Sequence, residues 1–153
     1  MRNKHSLLIE QLDQKLQPFD QTKKALVPER GWINTIRTTL NMTMAQLGTK
    51  LNITRQGVKN LEKSEANGTI TLNSLRDVSN AMDLKLVYAM VPKDGTINDL
   101  VNVKAEKLAR RIVMRTNQNM KLEDQGIEEK KLAKTIQELA NEIKREMRKS
   151  LWD

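Results

Sequence analysis

Between Thr54 and Lys63 the chain reads Thr-Arg-Gln-Gly-Val-Lys-Asn-Leu-Glu-Lys, and most of its polar side chains suit an ordered polyanion. An arginine guanidinium matches the two acceptors on the major-groove edge of guanine, and a glutamine or asparagine amide matches the donor and acceptor of adenine. Lysine ammonium groups and a threonine hydroxyl suit phosphate oxygens, which fix position without reading sequence. On a helix, Arg55, Gln56, Lys59, Asn60 and Lys63 fall on one side, with Val58 and Leu61 on the other. Thr54 precedes them as a good N-cap. Arg55, Gln56 and Asn60 thus have the chemistry to read base edges, and Lys59 and Lys63 are point charges suited to phosphate. A plain helical hairpin would account for the caps and the apolar positions alone.

A helix that reads base edges needs a rigid neighbour joined by a short turn. Thr43 is placed to cap a helix over Met44 to Leu51, and Asn52 tolerates the left-handed conformation that a tight turn demands. Gly48 is the small residue where the two helices cross, while Leu47, Leu51, Ile53, Val58 and Leu61 supply the apolar lock. Gly57 costs about 1 kcal/mol of helix propensity relative to alanine. Close approach to DNA and tight packing on a neighbouring helix both explain it. Before this pair, Trp32, Ile33, Ile36 and Leu40 form the stripe of a helix from Pro28 to Leu40; after it, Thr71 caps a helix carrying Leu72, Leu75, Val78 and Met82.

The flanks are also helical in pattern. Leu8, Leu12, Leu16 and Phe19 mark an amphipathic helix over residues 6 to 19, ended or bent by Pro18. Leu84 to Val91 alternates partly, is rich in β-formers and stops at Pro92, which predicts a strand. A lone strand needs a partner. The expected solution is a homodimer pairing through Leu86, Val87, Tyr88 and Met90, with pairing inside the chain as the other option. Two further stripes, over 98 to 118 and 128 to 150 with Gly126 between them, must be buried in the dimer or against a partner protein.

The order Thr43, Leu47, Gly48, Leu51, Ile53, Thr54, Val58, Glu62 resembles the Xre and phage-repressor class of helix-turn-helix proteins over about residues 31 to 91. The resemblance implies DNA contacts at Thr43, Met44, Thr54, Arg55, Gln56, Gly57, Lys59, Asn60 and Lys63, although the class usually carries Gln where Met44 stands. It also implies an ion pair between Arg37 and Glu62. Across nearly the whole chain, Arg30-Gly31-Trp32-Ile33, Glu62-Lys63-Ser64-Glu65, Lys85 to Pro92, Met120 to Gln125 and Leu151-Trp152-Asp153 resemble the mobile mystery protein A family. That family is an Xre-type regulator usually encoded beside a Fic-domain protein, mobile mystery protein B. A toxin-antitoxin-like operon and a Fic-domain partner are implied.

Composition bounds the alternatives. The chain has 153 residues, 27 Lys and Arg against 19 Asp and Glu, a formal charge of +8 and 3% aromatics, which favours a small helical protein and a polyanionic partner. The charge is spread, at +2 over 1 to 30, +3 over 31 to 91 and +3 over 92 to 153. There is no cysteine and a single histidine, His5, so disulfides, thiolate metal sites and His-based catalysis are not expected. Glu123, Asp124, Glu128 and Glu129 lack the loop spacing of a cation site. The absence of a signal-peptide pattern or long apolar run argues for a cytoplasmic, non-membrane protein. The Asn-x-Thr triplets at Asn41, Asn52 and Asn67 read as turn and capping residues rather than glycosylation sites.

The expectation is therefore a mainly α fold: a phage-repressor-like helix-turn-helix core at 28 to 92 with one short strand at 84 to 91, an N-terminal helical extension at 1 to 27 and a C-terminal one at 93 to 153. The expected function is a homodimeric, cofactor-free, non-enzymatic repressor bound to a double-stranded operator of its own operon. Its rivals are an antitoxin acting by protein neutralisation and, more distantly, a basic membrane-surface protein.

Overall fold

The computed structural model describes residues 3–122 and 128–153. All regular structure among them is helical: α1 (Lys4–Leu16) with a 3-10 extension (Gln17–Lys24), α2 (Trp32–Thr39), α3 (Met44–Leu51), α4 (Arg55–Ala66), α5 (Leu72–Ala81), α6 (Ile97–Leu122), α7 (Glu129–Glu146) and a 3-10 turn (Lys149–Trp152). The chain divides into a central unit, Lys24–Ala89, and a terminal unit formed by Met1–Lys23 with Met90–Asp153. The segments read separately as N- and C-terminal extensions thus belong to one compact unit. The break expected at Gly126 and the Glu123-Asp124-Gln125 element lie outside the described residues.

The central unit forms because four short helices each contribute one apolar stripe to a common centre. Ile33 from α2, Leu47 from α3, Val58 from α4, and Val78 with Met82 from α5 are buried together. None of these helices is long enough to be stable alone, so tertiary burial carries them. Threonine sets three of their starts. Thr43, Thr54 and Thr71 accept the backbone N–H of Gln46, Gly57 and Ser74. α2 begins at Trp32, four residues after Pro28, because Gly31 holds a φ of 84° that no helix accommodates.

The expected strand is absent. Residues 84 to 91 carry no regular structure, because a strand exists only through ladder hydrogen bonds and no other described segment of the chain offers an edge to it. Val87, Tyr88 and Met90 are consequently 61%, 63% and 91% exposed.

The terminal unit buries the two C-terminal stripes against each other. Ala105, Leu108, Ala109 and Val113 of α6 pack with Ile136, Ala140 and Ile143 of α7, so these stripes require neither a dimer nor a partner, contrary to expectation. α7 also ends earlier than expected, at Glu146, where Met147 adopts a left-handed conformation of φ 48°. The reversal returns Leu151 to the core at 3% exposure.

The first turn of α6 is held from several sides. Asp13 of α1 accepts the N–H groups of Ile97 and Asn98 at 2.7 and 3.1 Å. Thr96 and Asp99 cap reciprocally, the Thr96 N–H donating to Asp99 at 2.9 Å and the Asp99 N–H to the Thr96 hydroxyl at 3.1 Å. These carboxylates sit at the positive end of the helix dipole. The hydrogen bond from the Thr96 backbone, then that from its side chain, holds the Asp99 carboxyl below its ordinary value of 3.8; desolvation opposes them, and Lys144 and Lys23 add smaller contributions in the same direction as the hydrogen bonds. A carboxyl whose folded pKa is lowered stabilises the fold above its unfolded value and loses that contribution as pH falls through the folded one. Asp99→Asn should therefore lower the melting temperature at neutral pH, and the gap to the parent should close as the pH is brought below 3.8. Paired thermal melts across that range check it; a constant gap would show that the charge is irrelevant.

Candidate nucleic-acid interface

The position of α4 is fixed by its two carboxylates, both turned towards α2. Glu62 is 6% exposed and faces Arg37, 7% exposed. The Arg37 Nε donates to Glu62 Oε1 and Nη2 donates to Oε2 at 3.3 Å. Asn34 adds a donor to Oε2 at 2.9 Å, and Arg37 Nη1 donates to the Met42 carbonyl at 2.8 Å. A buried ion pair recovers its desolvation cost only when its remaining polar groups are bonded, as they are here.

Glu65, one turn on, accepts the Trp32 and Ile33 N–H groups at 3.0 and 2.8 Å. It does for α2 what an N-cap side chain would do, since Gly31 has none to offer. The fit is close: a Cβ at Gly31 would stand 2.6 Å from Glu65 Oε1. Neither residue type nor spacing marks Asn34, Gly31 or Glu65 for these contacts; Gly31 and Glu65 fall within Arg30-Gly31-Trp32-Ile33 and Glu62-Lys63-Ser64-Glu65, two of the segments that carry the family resemblance, and Asn34 falls in neither. Gln46 is different, because the Thr43-x-x-Gln46 spacing announces the capping box in which Thr43 N–H donates to Gln46 Oε1 at 2.8 Å.

With the carboxylates facing inward, the outer side of α4 carries only neutral and cationic groups. Arg55, Gln56, Lys59, Asn60 and Lys63 are all exposed, as are Thr54 and Thr43. Arg55, Lys59 and Lys63 take part in no ion pair among the described residues. Gln56 Nε2 donates to Asn60 Oδ1 at 3.1 Å, which ties the two amides together and leaves Gln56 Oε1 and the Asn60 amino group without a partner among the described residues. The structure thus gathers Thr54, Arg55, Gln56, Lys59, Asn60 and Lys63 on one face. Met44 is placed differently, half-buried and packed against the central core. Gly57 presents no side chain and packs against Ile53.

The turn between α3 and α4 depends on Gly48. The Ile53 N–H donates to the Gly48 carbonyl at 2.9 Å, and Asn52 takes φ 56° to reverse the chain. A Cβ at Gly48 would lie 2.7 Å from the Ile53 carbonyl oxygen and 3.3 Å from that of Thr54. Backbone cannot retreat as a side chain can. A Cβ at Gly57 would meet side-chain atoms of Ile53 at 3.3 Å, so packing on the turn accounts for this glycine, and the contact is looser than that at Gly48 and involves no backbone.

Among the described residues no group of three or more His, Cys, Asp or Glu is placed to hold a metal ion, and no helix is long and apolar enough to cross a membrane. The two glycines should respond differently to alanine. Gly48→Ala should destabilise the protein by about 1–3 kcal/mol through overpacking. Gly57→Ala should stay within about 1 kcal/mol, because gained helix propensity offsets the tighter contact. Urea unfolding of both variants checks this, and equal losses would contradict the assigned contacts. No protein-family model, no curated protein and no solved structure matches this chain.

Proposed function

We propose that the protein is a sequence-specific DNA-binding repressor with a helix-turn-helix core, in which α4 enters the major groove. The observation that carries this reading is the outer face of α4: three unpaired cations and a bonded Gln56–Asn60 pair, with both acids of the helix turned away. The short turn from α3 supports it, since that turn holds the N-terminal residues of α4 clear of the body, where base contact occurs in helix-turn-helix proteins. Arg55, Gln56 and Asn60 read bases; Thr43, Thr54, Lys59 and Lys63 hold phosphates.

The protein acts as a homodimer on a two-fold operator in its own promoter, in the cytoplasm, without a cofactor or catalytic step. The operon it regulates is toxin-antitoxin-like, with a Fic-domain protein encoded alongside. A second role, neutralising that partner by direct contact, is favoured by apolar side chains the terminal unit leaves uncovered, notably Leu8 at 49% and Val103 at 63% exposure.

Two alanine variants separate base reading from phosphate holding. Arg55→Ala should cost about 1–3 kcal/mol on the cognate operator and flatten discrimination between operator variants. Lys63→Ala should weaken all sequences alike and reduce the salt slope by about one unit. Footprinting upstream of the gene should show two half-sites with centres about 34–36 Å apart. Salt titrations on operator and random DNA check the pair. Equal losses on both DNAs for both variants would remove α4 as the reading element.

A further inference from the structure

Residues 84 to 91 leave α5 and form nothing, although their composition is that of a strand. The Leu84 N–H still donates to the Ser79 carbonyl at 2.8 Å, but from 85 to 91 no backbone N–H or carbonyl has a hydrogen-bond partner among the described residues. Positive φ angles stand at Asp83 and Gly95, 58° and 63°, and at no residue between them. The segment is therefore bounded by two turns and follows the ordinary left half of conformational space throughout. Val87 and Tyr88, residues that gain most from cross-strand packing, are more than half exposed at 61% and 63%.

We infer that this segment is one strand of a two-stranded antiparallel ladder whose other strand is the same segment of a second copy. The inference takes from the proposed function only that two copies act together. Charge complementarity selects this occupant. Asp83 precedes the segment and Lys93 follows it. Antiparallel pairing with Tyr88 on the two-fold axis sets each copy's Asp83 opposite the other's lysine at position 93, one such pair just beyond each end of the ladder. Parallel pairing would set Asp83 against Asp83 and Lys85 against Lys85, which is repulsive. Pro92, which lacks an N–H, ends the ladder on each side. The contact is isologous, each copy offering the same edge to the other, so it closes by a two-fold into a dimer.

The chain contains no cysteine, so a single introduced cysteine can cross-link only between copies. In full-length protein under mild oxidation, Tyr88→Cys should convert most chains to a covalent dimer. Lys85→Cys should give little, because in this register the two copies of position 85 stand roughly 20 Å apart. A mixture of Leu86→Cys and Met90→Cys chains should cross-link to each other, since those positions face across the pair. Of two consecutive strand residues one N–H always faces the partner, so Val87→Pro combined with Tyr88→Pro should weaken the dimer more than about tenfold by sedimentation. Helical circular dichroism should not change, because no hydrogen bond within the chain is lost. A wild-type chain that sediments as a monomer at micromolar concentration overturns the inference. So does a dimer indifferent to the paired prolines, or cross-linking as efficient at position 85 as at 88. Arg55→Ala should leave the cross-link intact, so failure of base reading and failure of pairing are seen separately.

Discussion

The central unit is organised around the two carboxylates that α4 sends into α2. Glu62 pairs with Arg37 in a nearly dry setting, and Glu65 closes the first turn of α2. Removing one partner of a buried ion pair typically costs about 3–5 kcal/mol, because the other is left charged and unmatched. That penalty falls on any rotation of α4 about its axis, as a turn of one residue would expose Glu62 and bring Leu61 or Lys63 into its place. The interaction thus fixes the direction of the outer face as well as holding two helices together. It also explains why a helix with two acids can present a face with none.

Much of this architecture is legible in local sequence because it is written in local chemistry. Thr43, Thr54 and Thr71 accept the hydrogen bonds their positions before apolar stripes imply, and Asn41 and Asn52 adopt the left-handed conformations that their place in the turns suggests. Asn67 accepts the Thr69 N–H at 3.1 Å in a side-chain turn. The Arg37–Glu62 contact is visible through resemblance rather than through spacing, since residues 25 apart carry no periodic signal. Glu65 is illegible for the same reason: its partners are backbone N–H groups 33 and 32 residues away, and backbone has no sequence signature. Met44 shows the converse, a position implied by resemblance to face outward whose thioether is drawn into the core because it is apolar.

The segment at 84 to 91 and the two C-terminal stripes both depart from expectation because apolar content does not by itself say where its partner lies. The stripes of α6 and α7 satisfy each other, as adjacent helices with matched periodicity do. The strand has no such neighbour. Helices close their own backbone hydrogen bonds and need only a surface to cover, whereas a strand needs another chain segment to exist at all. An amphipathic helical pattern therefore predicts an element, but a β pattern predicts only half of one.

Net charge alone would not single out α4, since the formal +8 is spread along the sequence. Where each charge sits says more than how many there are. In the terminal unit Arg148 is held by Glu146 and Glu142 at 2.5 and 3.4 Å, and Arg110 and Lys134 each have an acid one turn away. Lys144 and Arg145 lie in the last turn of α7, where the helix dipole favours them. These charges already have something to do. Arg55, Lys59 and Lys63 follow one another at four-residue spacing over about two turns of helix with no ion pair among the described residues, a placement that costs helix stability by like-charge repulsion. A local cost of that kind persists when something outside the molecule relieves it, and a row of phosphates would relieve it while releasing the counterions that otherwise screen both partners.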